Sequence, residues 1–239
     1  MSGQPAYMKA IGNYVFGITE ALEFCAVFEA FHDQPSARIR PKLMRALSGP
    51  ERLFDETPQN SEARNTMFEL FLAADWKLNG LDVELGDPDV TLLVEGHSFS
   101  VECKRPYQPG RLYDNLRSAR TQLRRKRLGP DPQAHGLIAV SVSRILNPGN
   151  LCFTTPSMND KSLLGDRLEK VLHENEALIA RLEPDPSFCG ILFHASTPVD
   201  VGPGEHFALM HFYAFQQTGD LDACALLNRA VGSLYPEKV

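Results

Sequence analysis

Residues 90–104 constrain the fold of this chain more than any other stretch. Val90–Glu95 and Ser98–Lys104 are short runs with β-branched and aromatic residues, and Gly96-His97 between them supplies a tight turn, so the pair reads as a hairpin. Alternation along a strand puts Phe99, Val101 and Cys103 on one face and Ser98, Ser100, Glu102 and Lys104 on the other. A carboxylate and an ammonium group then stand side by side, near the start of the neighbouring strand at Asp89, which Pro88 precedes. Two carboxylates and a lysine that converge in this way suit a divalent cation and an activated water.

Composition limits what can surround that hairpin. A chain of 239 residues has room for one large domain, or one domain with an appendage, and for a proper core. Its 43% hydrophobic and 23% charged residues are those of an ordinary soluble globular protein. The net charge of −6 excludes a polycation that binds nucleic acid indiscriminately, so any such contact must come from a local patch. Cys25, Cys103, Cys152, Cys189 and Cys224 are odd in number and never in CxxC spacing, which argues against a disulfide framework or a zinc site and for a reducing cytoplasm. Glu20, Glu23 and Glu29 interrupt the apolar run near the N-terminus, and no signal peptide or membrane span is expected. GxSxG, P-loop, GxGxxG and HExxH motifs are missing.

Taken in order, residues 1–58 read as a helical N-terminal extension to a domain at 59–239. Thr19 to Phe31 has helical apolar spacing, Pro35 closes that helix, and a short helix opens with Pro41 in its first turn and stops at Gly49-Pro50. A helix then runs from Asn60 or Ser61 to Leu78, apolar almost all round, with Glu69 in its middle. A carboxylate buried there needs a cation or a partner, and Glu69 is expected to point at the site near Asp89. Leu81–Leu85 is a strand, and Gly86-Asp87-Pro88 turns the chain into the hairpin.

From Leu112 to Arg127 the spacing predicts a helix with Leu112, Leu116, Ala119 and Leu123 as its apolar stripe. Arg117, Arg120, Arg124 and Arg127 form a second stripe beside Arg125 and Lys126, and Asn115, Ser118 and Gln122 a third face. Such a basic density in an acidic chain suits a phosphate backbone. Gly136–Val142 reads as a central strand, Asp160–Leu182 as a helix, Ser187–Ser196 and His206–Phe215 as strands around a turn at Gly202-Pro203-Gly204, and Asp220–Leu234 as a closing helix. His206 and His211 would face opposite sides of one strand, so these two and His194 read as structural rather than metal-binding.

The order helix, three strands, helix, strand, with Glu69, Pro88-Asp89 and Glu102-Cys103-Lys104 in place, resembles the PD-(D/E)xK nuclease superfamily over about Asn60 to Val142. The resemblance implies an α/β, restriction-endonuclease-like αβββαβ core with a mixed sheet flanked by helices. It also implies Mg²⁺, with Mn²⁺ able to substitute. Asp89, Glu102 and the Cys103 carbonyl would be ligands, and Glu69 would complete the set or organise metal water. Lys104 would orient or deprotonate the attacking water. The expected reaction is hydrolysis of nucleic acid, DNA favoured over RNA, leaving a 5′-phosphate and a 3′-hydroxyl. Arg117, Arg120, Gln122, Arg124 and Arg127 would form the nucleic-acid contact, although Gln122 matches the family's polar position only loosely and Lys126 stands where RecB-like exonucleases carry a tyrosine. A homodimer is common among relatives that cut both strands. The alternatives are a catalytically inactive subunit of the same fold, binding nucleic acid or protein, and a protein-interaction module.

Overall fold

The computed structural model describes residues 6–34, 36–50, 55–86, 89–126, 134–149, 151–155, 162–182, 188–201, 207–217 and 221–234. They build a mixed seven-stranded sheet with helices on both sides, an α/β architecture. Helices α1 (Ala6–Phe31), α2 (Ser36–Leu47) and α3 (Glu62–Leu78) come first. Strands β1 (Asp82–Leu85), β2 (Val90–Val94) and β3 (His97–Lys104), helix α4 (Leu112–Lys126) and strand β4 (His135–Ser141) follow. The chain ends through α5 (Ser143–Leu146), β5 (Phe153–Thr154), α6 (Ser162–Ile179), β6 (Phe188–Asp200), β7 (Phe207–Gln217) and α7 (Leu221–Leu234).

Strands β1, β2 and β3 form an antiparallel meander; β3 then pairs parallel with β4, and β4 parallel with β6. β7 lies antiparallel to β6, and the last two residues of β6 also hold the short β5. In the β2–β3 hairpin Val94 pairs with His97, which leaves Glu95 and Gly96 as the two turn residues, at φ 48° and 83°. Two consecutive positive φ angles are the mark of a type I′ turn, whose twist matches that of the strands it joins. The turn is therefore one residue earlier than Gly96-His97, and His97 opens β3. The faces of β3 stay as expected: Phe99, Val101 and Cys103 join a core beneath α3, and Glu102 and Lys104 look the other way.

Two apolar cores, one on each side of the sheet, account for the helix placement. On one side α3 lies between the sheet and helices α1 and α2, which explains why it is apolar all round; Leu70, Leu72 and Trp76 are fully buried there. Val27, Phe31 and Ile39 bring α1 and α2 into the same core, and Cys224 and Leu227 bring in α7. On the other side Leu116, Ala119 and Leu123 of α4 pack with Ile138 and Val140 of β4 and with Leu164 and Leu168 of α6. β4 feeds both cores through alternate residues, as a central strand buried on both faces must.

Several boundaries differ from the sequence reading. Helix α1 begins at Ala6, not near Thr19; Val15 and Phe16 are buried, and their packing outweighs the helix penalty of Gly17, roughly 1 kcal/mol. Helix α2 begins at Ser36, so Pro41 lies inside it and not in its first turn; the buried Ile39 anchors the turn before the proline. Helix α5 and strand β5 occupy a stretch without a clear sequence period. Pro35, Asp87, Pro88, Arg127, His206 and the turn at 202–204 lie outside the described residues. Among the described residues no helix is long and apolar enough to cross a membrane.

Candidate active site

The hairpin register creates the site. Val90 pairs with Val101, and continuing that register one residue past the end of β2 brings Asp89 level with Glu102, on the face that also carries Lys104. Asp89 Oδ2 accepts a hydrogen bond from the Cys103 backbone N–H at 2.9 Å, which holds the carboxylate against β3. Glu102 is 1% exposed and accepts from two ammonium groups, Lys104 Nζ at 3.2 Å and Lys126 Nζ in the last turn of α4. A carboxylate taken that far out of water costs several kcal/mol, order of magnitude, unless charge is returned to it. Here two lysines return it.

Glu69 belongs to the opposite layer. It is buried in α3 and ion-paired with Lys42 of α2. Burial lowers the pKa of Lys42, with Asp89 and Cys103 acting against that shift and Arg45 and Lys126 adding to it. Lys42 is thus within electrostatic reach of Asp89 and Lys126, and the two clusters gather around one end of β3. The Cys103 thiol is pushed well up, first by burial and then by Asp89 and Glu102, against Lys104 and Lys42. It stays a thiol at neutral pH, and any ligand role for Cys103 falls to its carbonyl.

The structure therefore brings Asp89, Glu102 and Lys104 onto one face and sets Glu69 behind them with a lysine already on it. Arg117 and Arg124 are exposed on α4 as expected. Arg120 is not: it is 6% exposed, with its guanidinium 5.9 Å from the Phe188 ring centroid. It stands four residues after Leu116 and three before Leu123, on the border of the apolar stripe, so it turns under with that stripe. Gln122 is half-buried, and its Oε1 has no hydrogen-bond partner among the described residues. Lys42 was not foreseen, since residues 1–58 carry no recognisable motif; a buried Glu69 demands a cation but does not say which. Lys126 had a sequence signal, one turn after Gln122 on the same helix face.

Chemically, Asp89 and Glu102 offer hard oxygen donors on one face, the type that Mg²⁺ and Mn²⁺ take. Two ammonium groups already answer the charge of buried Glu102, so a divalent ion at these carboxylates would have to share or displace them. Among the described residues no three His, Cys, Asp or Glu side chains form a group arranged to hold a metal. His194 and His211 are elsewhere, bonded Nε2 to Nδ1 at 3.1 Å and stacked on Phe68 and Phe71. Comparison with protein-family models and with characterised proteins finds no match for the chain.

Proposed function

We propose that the chain is a metal-dependent nuclease of the PD-(D/E)xK type that hydrolyses phosphodiester bonds, DNA in preference to RNA. The observation that carries the proposal is the placement of Asp89 level with Glu102, on the same face as Lys104. The order α3, β1–β3, α4, β4, with β3 parallel to β4, supports it as the topology that the resemblance implies.

Asp89 and Glu102, with the Cys103 carbonyl, would hold Mg²⁺ or Mn²⁺, and Glu69 would support them from behind. When bound, the ion supplies Lewis-acid polarisation of the phosphoryl oxygen and a water of lowered pKa. The chain's own residues do the rest. The Cys103 N–H keeps Asp89 from swinging away, so no reorganisation is needed when substrate arrives. Lys104, anchored by Glu102, holds its ammonium where it orients the attacking water and meets negative charge growing on the phosphate. Arg117 and Arg124 of α4 fix the phosphate backbone.

One observation favours a second reading, a catalytically inactive subunit of the same fold: Glu69 and Glu102 are already charge-balanced by Lys42, Lys104 and Lys126. Incubation of the purified chain with mixed single- and double-stranded DNA separates the two. A nuclease cleaves with Mg²⁺ or Mn²⁺, stops in excess chelator, and is silent as Asp89→Ala. Cleavage that continues in chelator, or none under any metal condition, contradicts the proposal.

A further inference from the structure

Apart from the carboxylate–lysine site, a mainly apolar cavity of ≈ 90 Å³ lies between helices α1 and α3 and the ends of β4 and β6. At about 10–15 Å³ for each water-sized probe, that is room for one substituted ring rather than for a single solvent molecule. Its place follows the rule for open α/β sheets, in which ligands sit beyond the carboxyl ends of parallel strands: Ser141 is the last residue of β4 and pairs with His194 of β6. Asp89, Glu102, Lys104 and Glu69 do not line it.

The walls and the polar groups are unlike each other. Phe16, Phe68 and Phe71 supply flat apolar surface. At the base, Ser143 Oγ accepts the Ser196 N–H at 2.8 Å and touches the hydroxyls of Ser141 and Ser196 at 3.1 and 3.2 Å. Most charges are committed to partners: Arg64 to Glu20, Arg105 to the buried Glu56, and Arg144 to the Tyr107 hydroxyl, over whose ring it stacks. Two groups are left over. His194 is 3% exposed, its Nε2 is taken by His211, and its Nδ1 has no hydrogen-bond partner among the described residues. Glu23 of α1 makes no hydrogen bond or ion pair within 4.0 Å of a described lysine, arginine or histidine, although Glu20 has Arg64.

We propose that this cavity binds a small, flat organic molecule whose amidine or amino-heterocycle edge donates paired N–H groups to Glu23, with His194 Nδ1 as a second polar contact. A planar ring suits the phenylalanine walls, and the arginines that act on Glu23, Arg64 and Arg105, are already ion-paired with Glu20 and Glu56. The state of Glu23 agrees. Burial pushes its carboxyl up to about 7, Arg64 opposes, Glu20 adds and Arg105 opposes, so near neutral pH the acid is about half protonated. His194 is held neutral by burial and by His211. A ligand that brings donors would displace the Glu23 proton into solvent.

Benzamidine and benzoate share a ring and carry opposite charge, so they test the assignment. Each is titrated by calorimetry into the full chain, near neutral pH, in buffers of different ionisation enthalpy. Benzamidine is expected to bind and to release a proton. Glu23→Gln keeps the side-chain shape and should weaken binding by about tenfold or more and cancel the proton release. The proton release of the unaltered chain is a readout that does not depend on how the variant folds. Preference for benzoate, benzamidine binding that carries no proton release and ignores Glu23→Gln, or no binding of either compound overturns the proposal.

Discussion

Glu102 and Glu23 are both carboxylates drawn out of water, but the fold treats them differently. Glu102 sits on a strand whose register places Lys104 two residues on and whose covering helix ends in Lys126, so its charge is answered twice. Glu23 sits on α1 beside a cavity, where burial outweighs the pull of Arg64 and Arg105, which are ion-paired with Glu20 and Glu56. A buried acid with cations around it is suited to hold a metal and to work on an anionic substrate. A half-buried acid whose neighbouring arginines are held by other carboxylates is suited to meet a donor. The difference lies both in depth, Glu102 being fully buried and Glu23 only partly, and in which neighbouring elements supply lysines.

The strongest way to break this comparison is at the first region. Glu102→Gln should lower DNA cleavage by at least about a thousandfold in single-turnover assays, since it removes both the ligand charge and the anchor of Lys104. Stability should then split in sign. Removing a paired buried acid, as in Glu56→Ala, strands Arg105 and should cost about 3–5 kcal/mol in urea denaturation.

Glu23→Gln should do the reverse above neutral pH. Its carboxyl has an ordinary value of 4.5 and a folded value of about 7. Below pH 4.5 the folded and unfolded chains both hold the proton; between 4.5 and 7 only the folded chain does, and stability falls as pH rises through that window. The Glu20 carboxyl, raised by burial, acts in the same direction. Denaturation of the natural chain and of Glu23→Gln across pH 4 to 8 should therefore diverge, with the variant the more stable at pH 8 by about 3 kcal/mol at most. Curves that stay parallel would remove the contrast between the two acids.

Two smaller effects sharpen the picture of the first region. Lys126→Met removes an ammonium that competes for Glu102, and should raise Mn²⁺ affinity by about tenfold in calorimetry. Lys104→Met should lose cleavage instead, although both lysines touch the same carboxylate. Arg117→Ala should weaken DNA binding only by a few-fold, roughly one phosphate contact, and the loss should shrink as salt rises in a fluorescence titration.

Much of the sheet was legible because alternation is a short-range signal. Phe99, Val101 and Cys103 against Glu102 and Lys104 give the two faces of β3 directly, and the continuous apolar run of β4 gives a strand covered on both sides. The neighbour of Asp89 was not legible: a turn at Gly96-His97 would set Asp89 opposite Lys104, and only the turn at Glu95-Gly96 brings it level with Glu102. What could not be read were partners brought by distant segments. Lys42 reaches Glu69 across 27 residues of chain, and Arg105 reaches Glu56 across 49. Neither pairing leaves a local period. Arg120 shows a different limit: helical spacing defines stripes, but the residue between an apolar and a basic stripe goes where packing takes it, here over Phe188. The early start of α1 is likewise decided by the burial of Val15 and Phe16, not by propensity.

The most direct test of the central claim is Mn²⁺ binding by calorimetry on the natural chain and on the double variant Asp89→Ala with Glu102→Ala. The account predicts a carboxylate-dependent site, present in the first and lost in the second, with circular dichroism unchanged. No binding by the natural chain, even with DNA present, would contradict it, and the lysines on Glu69 and Glu102 would then be the permanent occupants of a fold that binds without cutting.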